Sequence, residues 1–325
     1  MTRVEAELAL GRVSSSLGEV SALGYQVYRG KVRDVVFGDR ALLLVASDRI
    51  SAFDRVLSTV PFKGEVLSRV SAWWFERCSD IVSNHILPDG DPISLGIGRA
   101  TLVRKLDMLP VEVVVRGFLS GSAWRDYRAE KTVSGIVLPQ GLSRNERFPV
   151  PLVTPSTKEE NSHDRPISGA EIVSSGLIRE ELWHEVEAAA LSLFHRGQDL
   201  AARSGLILAD TKYEFGMDDG RLVLADELHS PDSSRYWWAE SYERLFFGNE
   251  DQRELDKEPF RRWLAERGFT GEGSVPLIPD SVRVETALRY VQAYEAITSE
   301  NFESIGTDLQ SEATLLERII TERLR

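Results

Sequence analysis

Lys212 and Glu214 stand two residues apart in a run that ends at the turn Asp218-Asp219-Gly220, and Asp226 follows on the return. A strand repeats every two residues, so Lys212 and Glu214 share a face. Folding back at the turn brings Asp226 to the level of Glu214, within a residue of register. Two carboxylates beside a lysine suit a divalent cation carrying nucleotide phosphates. Magnesium in particular takes one or two carboxylates and completes its shell with phosphate and water. A surface pairing of lysine and glutamate across two strands would use the same letters at little energetic gain. The apolar residues around the pair argue against such full exposure.

Other segments carry cations that a polyanionic substrate would need. In Tyr28-Arg29-Gly30-Lys31-Val32-Arg33-Asp34 the glycine admits close backbone approach. A strand there points Lys31 and Arg33 the same way, where both can meet phosphate oxygens, while a turn with two solvated basic residues would read the same. The pattern is not that of a P-loop, whose glycines and Lys-Ser/Thr precede a helix. Small and charged residues at 46–54, followed by Lys63-Gly64, come right after a buried-looking strand, where ligand groups are often placed, and a capped surface turn would use the same letters. Arg116 ends a strand so apolar (Val111, Val113, Val114, Val115) that it must be largely buried. An isolated buried charge is costly, so Arg116 needs solvent or an anionic partner, from a salt bridge or from a ligand. Ser120 and Ser122 after it offer hydroxyls, and Gly117 and Gly121 permit a tight loop. Arg235 leaves the turn Pro231-Asp232-Ser233-Ser234 poised to hold a phosphate or carboxylate through two parallel hydrogen bonds. Loop 154–166 concentrates cation, hydroxyl, imidazole and carboxylate, including Lys158, His163 and Asp164. His163 has no second histidine at metal spacing, so zinc is not expected. His85, His184, His195 and His229 show no partner pattern and read as structural or exposed.

These residues require elements to hold them. Alternation over 25–48 predicts a hairpin with strands at 32–37 and 42–46 around Gly38-Asp39. Val66, Val70, Trp73 and Trp74 recur at helical spacing over 65–78. Strands are expected at 101–104 and 111–116, separated by Leu109-Pro110, and 135–166 reads as an ordered loop rich in Pro, Ser and Thr. A helix over 179–204 ends at Gly205, and 206–215 with 221–228 form a second hairpin. Asp280 or Ser281 can cap a helix carrying Tyr290 and Tyr294, and a last helix carries Leu309, Ala313, Leu316, Ile320 and Leu324 on one stripe. That stripe serves packing against the body or an oligomer contact. Strands early, mixed elements in the middle and helices late predict an α+β protein of at least two lobes.

Composition bounds the choices. The 325 residues are 42% apolar and 28% charged, as in globular proteins, and carry a net charge of −12. That balance argues against a nucleic-acid binder, which needs a clustered positive footprint. Anionic metabolites can still bind where cations converge, and Lys31, Arg33, Arg116, Lys212 and Arg235 are the candidates. The single cysteine, Cys78, reads as a small packed residue. No apolar stretch reaches the ~18–20 residues of a membrane span, and the N-terminus lacks an uninterrupted signal core. A cytoplasmic protein without membrane partners is expected.

Taken in order, these segments resemble the SAICAR synthetase family. The resemblance rests on Tyr-Arg-Gly-Lys-Val-Arg-Asp at 28–34 and Ser-Asp-Arg-Ile-Ser-Ala-Phe-Asp at 47–54. It continues through Val-Val-Arg-Gly-Phe-Leu-Ser-Gly-Ser at 114–122, Thr-Pro-Ser-Thr-Lys at 154–158 and His-Asp at 163–164. Ala-Asp-Thr-Lys-Tyr-Glu-Phe-Gly at 209–216, Pro-Asp-Ser-Ser-Arg-Tyr-Trp at 231–237 and Asp256-Lys257 complete it. It spans about 25–264, with a looser match in the helix after Pro279. A long central loop at 132–166 and the Ser-Ser pair in the Pro-Asp-Ser-Ser-Arg motif place the chain nearer the longer, fungal-type branch.

The resemblance implies an antiparallel β lobe (1–110) and an α+β ATP-binding lobe (111–270), distantly similar to kinase and ATP-grasp folds, with helices at 271–325 packed on the body. It implies an ATP-dependent ligase of purine biosynthesis that joins L-aspartate to the carboxylated aminoimidazole ribotide through an acyl phosphate. Lys212 and Arg235 would carry the chemistry. Gly30, Lys31, Arg33, Lys212 and Glu112 would bind ATP, with 106–112 against the adenine. Glu214 and Asp226 would hold Mg2+. Arg116, Ser122, Asp232 and Arg235 would bind the ribotide, and Lys158, His163, Asp164 and Ser168 would receive aspartate. A monomer or small homo-oligomer is expected. A small-molecule kinase would use the same glycine loop, lysine and carboxylates, and a nucleotide-binding regulator would bind ATP without turnover.

Overall fold

The computed structural model describes residues 1–13, 24–53, 55–158, 165–255, 257–305 and 308–324. A short helix α1 (Arg3–Ala9), capped by the Thr2 hydroxyl, opens the chain. Strands β1 (Gln26–Arg29), β2 (Arg33–Phe37) and β3 (Ala41–Ala46) form an antiparallel meander, closed by β6 (Ala100–Arg104) in the order β1-β2-β3-β6. Between β3 and β6 lie the hairpin β4 (Arg49–Ala52)–β5 (Arg55–Thr59) and helix α2 (Lys63–Arg77).

A second antiparallel sheet contains β7 (Asp107–Phe118), β10 (Arg147–Thr157), β11 (Leu206–Asp218) and β12 (Arg221–Ala225) in the order β10-β7-β11-β12. A further strand, β13 (Ser234–Trp238), pairs with the first half of β11. Helix α3 (Gly121–Glu130), the small hairpin β8 (Thr132–Val133)–β9 (Ile136–Val137), and helices α4 (Gly169–Ser174) and α5 (Glu180–Arg203) connect these strands. Helices α6 (Ala239–Phe247), α7 (Glu258–Ala265), α8 (Asp280–Thr298) and α9 (Leu309–Arg323) follow. No helix among the described residues is long and apolar enough to cross a membrane.

The period of two divides this second sheet into an apolar and a polar face. Val111, Val113 and Val115 of β7 join Tyr213 and Phe215 of β11 in a core with Val186, Leu193 and Phe194 of α5. The alternate residues point the other way, and register sets Asp210 opposite Arg116 and Glu214 opposite Glu112. Strand β11 also changes partner midway. Residues 206–211 pair with β13 and 214–218 with β12, so 226–233 must leave the sheet beside Lys212.

Three expectations need correction. Leu109-Pro110 does not separate two strands, because Pro110 lies within β7. The stretch 135–166 is not mainly loop, since β10 occupies eleven residues of it. Prolines 149, 151 and 155 disguised it, yet β10 is an edge strand whose register breaks between Arg147 and Leu152, and edges and bulges tolerate residues without an N–H. Neither Asp280 nor Ser281 caps α8; Pro279 occupies the cap position without a side-chain bond.

The last helix is spent on the first sheet. Leu316, Ile319, Ile320 and Leu324 pack with Val36, Leu43 and Val45. Arg99 donates to Glu312 at 2.9 Å through Nε, and Arg323 donates to the carbonyl of Asp89 at 3.0 Å. A Cβ on Gly38 would lie 2.3 Å from the Leu324 carbonyl oxygen, so glycine is needed there for close approach. Gly38→Ala is therefore expected to destabilise the protein by ~1–3 kcal/mol. Thermal unfolding checks this, and an unchanged Tm would mean that the end of α9 adjusts freely.

Candidate active site

Lys212 is the hub of the polar face. Its Nζ donates to Glu112 Oε1 at 2.8 Å and to Glu214 Oε1 at 2.7 Å. The other oxygen of Glu214 accepts from Lys158 at the end of β10. Burial alone would lower the Lys212 pKa, but Glu214, Asp226 and Glu112 more than offset it, and the ammonium is held charged well above its usual range. Arg33 reaches the same place from the first sheet, pairing with Asp226 and lying 3.6 Å from Glu227. For Asp226, burial favours the neutral acid, yet Arg33 and Lys212 outweigh it and hold the carboxyl well below its usual range. Asp226 has φ of 63°, a left-handed conformation that a non-glycine residue keeps only when its surroundings impose it.

The glycine loop above this floor is fixed from behind. Gly30 N–H donates to the Arg33 carbonyl at 2.8 Å, closing the turn between β1 and β2. Arg49 donates to the carbonyls of Gly30 and Lys31, at 2.9 and 3.2 Å, and to Asp34 at 2.6 Å. This gives Arg49, among the charged residues after β3, a bracing role behind the glycine loop. Lys31 is thereby held at the open turn.

Two residues back along β11 from Lys212 the chemistry changes. Asp210 lies between two arginines: Arg235 donates to it directly, and Arg116 Nη1 is 3.7 Å away. Ser120 Oγ bridges, donating to Asp210 at 3.0 Å and accepting from Arg235 at 2.9 Å. Arg116 also donates to Thr154 at 2.9 Å and to Ser122 at 3.1 Å. Burial, partly offset by Asp210, lowers its pKa. Arg235 and Ser122 face a cavity of about 470 Å3 whose walls include Arg125, Arg144, Arg261, Arg262, Asn145 and Trp124. Asp251 and Glu254 also line it, Asp251 2.7 Å from Arg144 and Glu254 3.6 Å from Arg235, so five arginines against two carboxylates leave a net positive cavity whose chemistry suits a dianion such as a phosphate monoester. The sequence analysis missed four of them, because they come from a helix start, a loop and α7 and share no spacing.

The other expected residues divide. Asp232 does not line that cavity. Its carboxylate is 2.8 Å from Lys63 Nζ and 3.7 Å from Lys257 Nζ, and accepts from Tyr290 OH at 2.6 Å. Ser168 uses its hydroxyl to cap α4, accepting from Glu171 N–H at 3.1 Å. Lys158 sits on Glu214, at the end of the site that holds Asp226. His163 and Asp164 lie outside the described residues, as does Asp256 of the Asp-Lys motif. Cys78 is buried, and burial pushes its thiol up to about 12, in keeping with a packing role.

Among the described residues no group of three or more His, Cys, Asp or Glu side chains is arranged to hold a metal. Magnesium does not require one, since it uses one or two carboxylates with phosphate and water. Glu214 and Asp226 share the cations Lys212 and Arg33, which feel both carboxylates. Hard oxygen donors compensated by basic side chains are a donor set that a magnesium–nucleotide complex fits.

A family model for SAICAR synthetase matches residues 26–276. The chain is 44% identical over 283 residues to a phosphoribosylaminoimidazole-succinocarboxamide synthase of Legionella pneumophila, covering 85% of this chain and 88% of that protein. Among solved structures it resembles a SAICAR synthase from Saccharomyces cerevisiae complexed with SAICAR. The TM-score is 0.78 at 35% identity, over 90% of this chain and all of that one. A SAICAR synthetase in complex with ADP matches with a TM-score of 0.64 at 28% identity, over 86% of this chain.

Proposed function

The chain belongs to the SAICAR synthetase family and is an ATP-dependent ligase of purine biosynthesis that condenses L-aspartate with the carboxylated aminoimidazole ribotide; from this premise we propose how its residues divide the work. One observation carries the assignment. A single face of β11 presents Lys212 and Glu214 toward the glycine loop and Asp210, with its two arginines, toward the arginine cavity. The distance between the two ends is a few residues of strand, so a nucleotide phosphate chain and the ribotide carboxylate meet over Lys212.

Residues 1–110 cover the nucleotide, 111–270 bind both substrates, and 271–325 brace the two. Gly30, Lys31 and Arg33 lie over the ATP phosphates, and 106–112 takes the adenine, with Glu112 orienting Lys212. Glu214 and Asp226 would hold Mg2+, which supplies neutralisation of phosphate charge. Arg116, Ser122 and Arg235 bind the ribotide, with the arginine cavity receiving its 5′-phosphate. Asp232 serves this set indirectly, by fixing the turn before Arg235.

A carboxylate cannot expel oxide when an amine attacks, so it must first be activated. Its oxygen takes the terminal phosphoryl group of ATP, breaking the bond to ADP and forming an acyl phosphate. In-line transfer of this kind depends on positioning and charge compensation, which Lys212 and Arg33 provide on one side and Arg116 on the other. The aspartate amine then attacks the acyl carbon, and phosphate leaves as the amide forms. Lys158, at the rim of the same face, is placed to hold a carboxylate of aspartate.

Phosphate release by the purified protein with ATP, Mg2+ and the carboxylated ribotide, with and without L-aspartate, tests this reading. Release that needs aspartate and yields the succinocarboxamide is expected. Aspartate-independent release would indicate a kinase or ATPase, and tight ATP binding without release would indicate a regulator.

A further inference from the structure

Lys63 is the most unusual charged residue outside the proposed substrate contacts. Its side chain is 0% exposed at the first position of α2, and does not line the arginine cavity. Burial lowers its pKa, while Asp232 opposes that shift. The ammonium sits 2.8 Å from Asp232 Oδ2 as an ion pair whose angles fall short of a hydrogen bond. Fully burying a lysine is costly even when it is paired, and an apolar pair of similar volume is often as stable. Stability alone therefore gives little reason for Lys63 to be there.

Its position gives a better one. Asp232 lies in the turn between Asp226 and Arg235, and that turn is hydrogen-bonded to the catalytic face. Lys212 N–H donates to the Ser233 carbonyl at 3.0 Å, and Ser234 Oγ and Thr211 Oγ1 are 2.7 Å apart. Ser230 Oγ accepts from the N–H groups of Asp232 and Ser233, each at 3.2 Å. One residue past Ser234, Arg235 enters the arginine cavity. At its other end Lys63 is tied to the glycine loop. Gly64 N–H donates to Asp48 at 3.0 Å, and Arg49, next in sequence, holds the carbonyls of Gly30 and Lys31.

We propose that Lys63 is a positioning residue for the ligase reaction, a buried cation that pins Asp232 so that the 230–235 turn aims Arg235 at the ribotide phosphate. This rests on the reading of the arginine cavity as the ribotide site. It adds a residue from the start of α2, on the nucleotide side, that sets affinity for the other substrate without touching it. Lys257 and Tyr290 hold the opposite oxygen of Asp232, so loss of Lys63 leaves the carboxylate anchored on one side only. The turn then swings about that anchor, and Arg235 loses its aim.

The test is Lys63→Met, of nearly the same length and uncharged, compared with Val66→Ala, which opens a cavity on the same helix away from the turn. Steady-state kinetics at a temperature where both are folded should show the ribotide KM raised at least tenfold in K63M, with the ATP KM within about twofold of wild type. V66A should lower Tm comparably and leave both KM values near wild type. A K63M enzyme that loses Tm but keeps its ribotide KM would overturn the proposal, as would equal rises in both KM values. If the wild-type protein makes no succinocarboxamide, the ligase reading itself has failed. The positioning claim is then read from calorimetric titration with inorganic phosphate, where K63M should bind at least fivefold more weakly and equal binding would overturn it.

Discussion

Glu214→Ala is expected to lower kcat about a thousandfold or more while leaving ADP able to bind without magnesium. The two oxygens of Glu214 are both engaged, one by Lys212 at 2.7 Å and the other by Lys158. Alanine removes one of the two proposed magnesium carboxylates, and with it the anion that compensates two lysines. The lysines remain, Lys212 still held by Glu112 at 2.8 Å, and their uncompensated charge attracts phosphate oxygens. Affinity for metal-free ADP should therefore hold or rise, while its dependence on magnesium disappears. Titration calorimetry with ADP, with and without EDTA, reads the binding half, and phosphate release reads the turnover half. A variant that lost less than tenfold in kcat and still bound ADP in a magnesium-dependent manner would remove Glu214 from the metal site. Glu214→Gln separates charge from shape, since the amide fills the same space and still accepts from Lys212.

How far such residues can be read ahead of the structure depends on whether their signal is local. Lys212, Glu214 and Asp226 were legible because one hairpin carries the first two and delivers the third just past its return strand, and the period of two with a marked turn nearly fixes their relation. The observed register pairs Glu214 with Ala225, one residue from Asp226, inside the expected tolerance. Helices α2 and α5 were legible for the same reason, each having a continuous apolar stripe. Strand β10 was hidden because prolines are read as loop, and only its edge position makes them acceptable. The arginine cavity was hidden differently. Arg125, Arg144 and Arg261 come from three separate segments, and only the tertiary fold brings them to Arg235. The neighbours of Asp232 were hidden in the same way, since a carboxylate in a turn motif does not disclose that Lys63 and Tyr290 approach it from α2 and α8. What escapes a single sequence here is convergence from distant segments.

Arg235→Ala should raise the ribotide KM about a hundredfold, with the ATP KM near wild type, because the two ends of β11 are separately equipped. A charge-assisted hydrogen bond is worth ~1.5–3 kcal/mol, and a guanidinium on a phosphate makes two. Part of that gain is already committed to Asp210, so one such bond's worth is the net expectation. The variant also leaves Asp210 with only Ser120 at 3.0 Å and Arg116 at 3.7 Å, and some Tm will be lost for that reason. Kinetics alone would not distinguish a lost phosphate contact from a loosened Asp210. The 5′-dephosphorylated nucleoside does, since it lacks the group that Arg235 is proposed to hold. Wild type and variant should handle the nucleoside about equally, both poorly, and differ only on the phosphorylated substrate. Arg235→Lys should recover little, because a single ammonium cannot reproduce the two parallel bonds. If instead the variant's defect persisted undiminished on the nucleoside, Arg235 would act through Asp210 on the base or its carboxylate. The phosphate would then belong to Arg125, Arg144, Arg261 and Arg262 alone.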